Sequence, residues 1–378
     1  MTKTGTGLLL LLLLLANHVN AQHNATKKEV RVTLQSANWE YQPDAVEFLT
    51  YNSVPALKIK GKGLVTLKDL DFKDGTIEFD MKTTDKRFTS FYFRRSSDSE
   101  SECFYFRLQN APNIDAVDAI QYAPIIKGVN LWDMLYQYQR NALIDTSGWN
   151  HVKLVISGKQ MRAIVNERMD MPLEIPYLEG TNSHGGLAFE GHAIFANLII
   201  KPDQVEGLSQ WPGTDLTDND PRYLRKWQIS PVINMPEKID FNYDLLPNKT
   251  TAWDTIRAER RGLINLTRKY GGASKGPRRL IFLKTTIHAN SPQKKQLNLG
   301  FSDEVYVFIN GYPLYLDKNL YGAPQMKAPD GRCTTDNTSF ELPLAQGDNE
   351  LLIGVANDFY GWGIVALLGD LNELAIER

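Results

Sequence analysis

The chain has 378 residues and a formal net charge of −2, with 42% apolar and 23% charged residues. That balance excludes a disordered polyelectrolyte and provides no concentrated basic surface for nucleic acid. The length accommodates two domains of ordinary size. The two cysteines, Cys103 and Cys333, fall in different halves and are expected as free thiols.

At the N-terminus Lys3 precedes an unbroken leucine run, Leu8 to Leu15, followed by Val19-Asn20-Ala21. Charge, apolar stretch and small residues in that order predict a secretory signal peptide over 1–21, cleaved before Gln22. The run is too short to span a bilayer, and no later segment suits a membrane span. A secreted or periplasmic protein is expected.

From about residue 30 to 201, short alternating runs are broken by Gly, Asp and Asn, which argues β-strands rather than helices. In Thr76-Ile77-Glu78-Phe79-Asp80-Met81-Lys82, alternation sends Ile77, Phe79 and Met81 to the core and the charged residues outward. Further strands are predicted at 57–60, 64–67, 89–94, 103–108, 151–157, 161–165, 185–190 and 193–200. Residues 202–222, rich in Gly, Pro and Asp, read as a linker on which Trp211 packs against a domain. From 223 to 378 the pattern is again all-β. Asn310-Gly311 lies between Val305–Ile309 and Tyr312–Leu316, and Asn-Gly suits the positive φ angles of a type I′ hairpin turn. The predicted class is therefore all-β, with two sandwich or jelly-roll domains in tandem.

Several segments carry a family resemblance. Phe72-Lys73-Asp74-Gly75-Thr76-Ile77-Glu78-Phe79-Asp80, the run Trp149 to Gly158, and the ending Gly185–Phe189 with Ala196–Ile200 resemble a concanavalin-like, laminin-G-type sandwich. Gln121-Tyr122-Ala123-Pro124, Gly128, Trp132 and Trp149 are distantly similar to the sandwich of 3-keto-disaccharide hydrolases. The Asn310-Gly311 hairpin followed by Gly347-Asp348-Asn349-Glu350-Leu351 resembles a galactose-binding-like jelly roll, where that turn leads into a final edge strand. These resemblances imply a carbohydrate partner and, as such modules often carry it, structural calcium. Asp69, Asp71 and Asp74 are the candidate calcium ligands.

The chemistry-bearing residues fall in two places. Alternation in Phe91-Tyr92-Phe93-Arg94 and in Phe104 to Gln109 puts Tyr92, Arg94, Tyr105, Arg107 and Gln109 on one face of a hairpin. Tyrosine rings stack on sugars and arginines grip hydroxyls or carboxylates, so this face is the first candidate ligand surface. Gln121, Tyr122 and Trp132 extend it by position, with Trp132 suiting the core better than a platform. The second candidate is the loop Ala356 to Trp362, flanked by 317–330. There Asn357 and Asp358 offer hydrogen bonds and Tyr360 or Trp362 a stacking surface. Glycines on both sides of Trp362 equally suit a core indole.

Catalytic residues are not identified by the sequence. Laminarinase-like enzymes on the concanavalin-like fold use E-x-D-x-x-E. Glu78 and Asp80 match, but Thr83 stands where the last carboxylate belongs. The basic cluster Arg257 to Arg261 reads as a solvated surface, and His184 and His192 as loop residues without metal. The expected function is an exported, non-catalytic carbohydrate-binding protein. A glycoside hydrolase with an unidentified acid pair, or an adhesion module binding protein, are the alternatives.

Overall fold

The computed structural model describes residues 29–61, 63–110, 113–235, 241–273 and 278–377. The expected signal peptide lies outside them. The described chain is nearly all β, and its α-helix Leu266–Tyr270 spans five residues. No helix among the described residues is long and apolar enough to cross a membrane.

The first half forms two antiparallel sheets. One runs, edge to edge, through Leu173–Ile175, Gln160–Val165, Asn150–Ser157, Gly75–Thr83, Ala193–Pro202, Val54–Ile59 and Val46–Tyr51. The other contains Glu100–Arg107, Phe88–Ser97, Gly186–Gly191 and Val65–Leu67 in that order, extended beside Glu100–Arg107 by Ile120–Tyr122. The facing sides close over Ile77, Phe79 and Met81, all fully buried, together with Phe91, Phe93, Phe104 and Phe106. Strict alternation on the Gly75–Thr83 strand therefore builds this core as the sequence predicts.

The second half adds two more sheets. Arg279–Ala289, Gly347–Asn357, Glu304–Ile309 and Tyr312–Lys318 lie side by side in one. Leu263–Asn265, Gly363–Leu368, Gln293–Ser302 and Thr338–Leu344 form the other. The Asn310-Gly311 turn is formed as predicted, with φ of 50° and 80°. A Cβ at Gly311 meets nothing within 4 Å, so only its backbone conformation resists substitution. Gly311→Ala is expected to cost about 1 kcal/mol in chemical denaturation.

The strand after Gly347 corrects an expectation. It is an interior strand, paired with Arg279–Ala289 along one side and Glu304–Ile309 along the other. The reason is visible in its burial. Leu351, Ile353 and Val355 enter the main core of the second sandwich, while Leu352 and Ala356 face a second apolar layer with Phe282 and Phe308. Residues buried on both faces belong inside a sheet.

The stretch 202–222 is tied down at several points. Gly213 N donates to Pro176 O at 2.7 Å, and Arg260 reaches back to Gly213 O. Trp211 is 71% exposed and does not pack as expected; its carbonyl, not its indole, is the anchored group. Leu263, Cys333 and Val365 of the second half join the core of the first, so the two sandwiches share an apolar seam. Both thiols are free and buried.

Candidate functional site

The seam opens into a cleft of about 840 Å³. One wall is the outer face of the sheet carrying Phe88–Ser97 and Glu100–Arg107. The other is made by the 321–332 and 357–362 loops of the second sandwich. The two surfaces singled out in the sequence thus meet across one cavity.

The floor consists of polar groups locked to one another. Tyr105 Oη donates to Gln121 Oε1 at 2.8 Å, and Arg107 Nη2 donates to the same oxygen at 2.5 Å and to Tyr105 Oη at 3.1 Å. Gln121 Nε2 donates to Trp132 O at 3.0 Å, which fixes the amide orientation. Tyr92 Oη donates to Glu190 Oε2 at 2.5 Å. Burial, then Cys103 and Glu190, push the Tyr92 phenol far above its ordinary range, so it remains a donor. Gln109 lies just beyond the strand, exposed at the cleft edge.

An arginine–carboxylate chain crosses the seam. Arg107 Nε lies 3.6 Å from Asp118 Oδ2, Arg332 Nη2 lies 3.5 Å from the same oxygen, and Arg332 Nη1 donates to Asp330 at 3.0 Å. The Arg332 guanidinium sits 5.4 Å from the centre of the Trp132 ring. Its buried Nε has no hydrogen-bond partner among the described residues.

Above this floor stands an aromatic cluster. Trp132 meets Tyr321 at 5.0 Å and Tyr360 at 6.0 Å, both edge-on. Tyr321 and Phe359 lie parallel, 5.7 Å apart. Tyr321 is 53% exposed, Tyr360 41% and Phe359 38%, so these rings present open faces to the cleft. Trp132 is a lining residue and not the core indole expected. Tyr122 turns inward instead of extending the floor, donating to Glu102 Oε2 at 2.6 Å.

Arg94 does not join Tyr92. Its φ is +48° and the strand pairing is irregular between Phe93 and Ser97, so the alternation breaks there. The side chain enters the space between the two sheets, where Nη2 donates to Asp74 Oδ1 at 2.8 Å and Nε to Lys73 O at 2.9 Å. This also removes Asp74 from any shared cation site. Asp71 pairs with His184, and among the described residues no three His, Cys, Asp or Glu side chains converge on a metal position. Asp69, Asp71 and Asp74 therefore do not fit a common calcium ion.

Trp362 also lies elsewhere, fully buried, with Nε1 donating to Gly271 O at 2.8 Å. Asn357 is buried and accepts from Arg279 N, while Asp358 is exposed and does not line the cleft. Their loop matters because of what pins it. Asp303 Oδ2 accepts from Asp358 N and Phe359 N, and Asp133 Oδ2 accepts from Gly361 N at 3.1 Å. Gly361 permits this approach, since a Cβ there would lie 2.7 Å from Met134 Cγ.

Burial pushes the Asp133 carboxyl up to about 7, against the opposing hydrogen bonds and Arg332. The fold holds this proton at pH values where the unfolded chain has released it. Stability from this group is thus complete below about 3.8 and is lost as pH rises through about 7. Asp133→Asn keeps an acceptor for Gly361 N. Between pH 5 and 7 it is expected to reduce the fall in unfolding free energy by about 1 kcal/mol per pH unit. Denaturant titrations at both pH values check this; an unchanged slope contradicts it.

The sequence drew attention to Tyr92, Tyr105, Arg107, Gln109 and Tyr360, and to the loop that carries Phe359, but not to Phe88, Asp118, Glu190 or Arg332. No local pattern marks those four, which reach the cleft through long-range packing.

No protein-family model matches the chain, and no curated protein is similar to it. Solved structures similar to part of it include the carbohydrate-binding module CBM66 from Bacillus subtilis, at 14% identity over 43% of this chain and 95% of that one, with a TM-score of 0.33. The Bacillus licheniformis beta-glucanase is 10% identical over 47% of this chain and all of that one, with a TM-score of 0.34. The exoplasmic/lumenal domain of VIP36, in its Ca2+/Man3GlcNAc-bound form, is 10% identical over 46% of this chain and 87% of that one, at 0.32.

Proposed function

We propose that this protein is an exported carbohydrate-binding protein, and that residues 30–201 and 223–378 are two sandwich domains holding the sugar between them. The observation that carries this reading is the cluster Trp132, Tyr321, Phe359 and Tyr360 facing a floor of fixed donors and acceptors. Exposed aromatic faces contact the apolar faces of sugar rings, and fixed polar groups select the hydroxyl pattern. Pre-formed hydrogen bonds among Tyr105, Arg107 and Gln121 hold the floor rigid, so little entropy is lost on binding.

The reading is non-catalytic because the cleft carboxylates are committed to structure. Glu190 accepts from Tyr92, Asp118 accepts from Asn110 and neighbours two arginines, and Asp330 pairs with Arg332. Glycoside hydrolysis needs one carboxyl free to give a proton and another to act as base or nucleophile.

A glycan and polysaccharide array, with product analysis of every hit and a chelator control, tests the proposal. Saturable binding with no released sugar is expected. Released oligosaccharide would move the function to an enzyme, and a blank array would overturn the carbohydrate reading.

A further inference from the structure

A second concavity, of about 650 Å³, lies along the seam and gathers four arginines, Arg225, Arg257, Arg260 and Arg268. Three of them come from the basic run and helix that follow it in the second sandwich, and Arg225 from just after the connecting stretch. The basic run is thus part of a shaped pocket rather than a plain solvated surface. Arg261, its last member, packs its guanidinium 5.7 Å from Tyr136 and 5.9 Å from Tyr138.

The four guanidiniums divide by partner. Arg268 is fully committed: it makes a two-armed pair with Glu259 at 2.6 and 3.1 Å and donates to Glu179 O at 3.0 Å. The other three form no direct ion pair among the described residues. Arg225 is held by Thr217 O at 2.7 Å, and Arg260 by Gly213 O at 2.8 Å while lying 4.9 Å from the Tyr177 ring centre. Carbonyls and a ring fix these two groups without cancelling their charge. Arg257 ends a strand paired with Lys226–Ile229, and its exposed side chain makes no hydrogen bond or ion pair within the described residues.

The acidic side of the pocket leaves Arg225, Arg257 and Arg260 without a direct ion pair. Glu259 pairs with Arg268, Asp218 is an exposed carboxylate at the rim, and Asp220 and Asp215 act on Arg225 and Arg260 only from a distance. Glu179 is buried and its carboxyl is pushed up to about 7, first by desolvation, so it carries only part of a charge near neutrality. The recess thus presents three guanidiniums that no carboxylate contacts directly, on a chain whose net charge is −2.

We propose that this recess binds an oxyanion of the carboxylate or sulfate class, presented, on the carbohydrate-binding reading above, by an acidic saccharide at a site separate from the aromatic cleft. Guanidinium groups match the planar or tetrahedral oxygens of such anions through paired N–H donors. Arg225 and Arg260 are pre-positioned, and Arg257 closes on the ligand from the exposed rim.

Calorimetric titration of the whole protein at constant ionic strength tests this. The probes are inorganic sulfate, a galacturonate oligosaccharide, a sulfated oligosaccharide and a neutral oligosaccharide of matched length. The acidic oligosaccharides are expected to bind saturably and the neutral one not to bind at this site. Arg257→Ala, which removes no side-chain hydrogen bond or ion pair among the described residues, is expected to weaken them about tenfold. Arg260→Gln provides a second variant, and Tyr321→Ala leaves this binding unchanged, which separates it from the cleft. Sulfate alone binding as tightly as the oligosaccharides would make a free anion the ligand and overturn the saccharide assignment. No saturable response to any anion, or a response indifferent to both arginine variants, would overturn the site itself.

Discussion

Arg94→Ala is expected to lower the unfolding free energy by about 3–5 kcal/mol, the range for removing one partner of a buried ion pair. Arg94 is 1% exposed and crosses between sheets to Asp74 and Lys73 O. Glu102, fully buried nearby, raises the guanidinium's proton affinity against desolvation. Without Arg94 that carboxylate loses its strongest opposing charge, and desolvation already drives its proton affinity up. Tyr122 connects the same network onward, accepting from Glu179 N at 2.6 Å. The alanine variant is expected to unfold early or to accumulate poorly, while any protein that does fold retains ligand affinity. A loss below about 1 kcal/mol in urea denaturation, or a selective loss of affinity at full stability, would contradict this placement.

The second large effect concerns binding. Tyr321→Ala and Tyr360→Ala are each expected to weaken the tightest array ligand about tenfold, corresponding to about 1.4 kcal/mol per ring. Both rings are substantially exposed, so stability should change by no more than about 1 kcal/mol. The two rings flank Trp132 rather than touching opposite ends of the molecule. Their effects are therefore coupled, and the double variant need not equal the sum. Unchanged affinity in both single variants would remove the aromatic cluster from the binding surface.

The contrast between these two predictions shows what the sequence pattern could and could not convey. Alternation placed Tyr92, Tyr105 and Arg107 on one face because the backbone there is regular. The same rule failed at Arg94 because one residue at positive φ turns the side chain through the sheet, and an arginine gives no sign that it will adopt that conformation. The Asn310-Gly311 turn was legible because both residues favour the angles it requires. The Gly347–Asn357 strand was misplaced at an edge because the apolar layer covering its outer face includes residues from far earlier in the chain, among them Met235 and Trp253. Trp132 illustrates the same limit. Its neighbours Tyr321 and Tyr360 lie in the other half of the chain, so no local periodicity distinguishes a cleft wall from a core. Arg332 became visible only when the two sandwiches were brought together along the seam, and Glu190 only when its strand paired with Phe88–Ser97.

The central claim is that ligand sits between the sandwiches, touching both. Hydrogen exchange measured with and without the tightest array ligand addresses it directly. Slowed exchange is predicted in residues 88–109 and 118–132 of the first sandwich together with 318–332 and 357–362 of the second. Protection confined to one sandwich, or centred on the opposite sheet around Trp149, would contradict it.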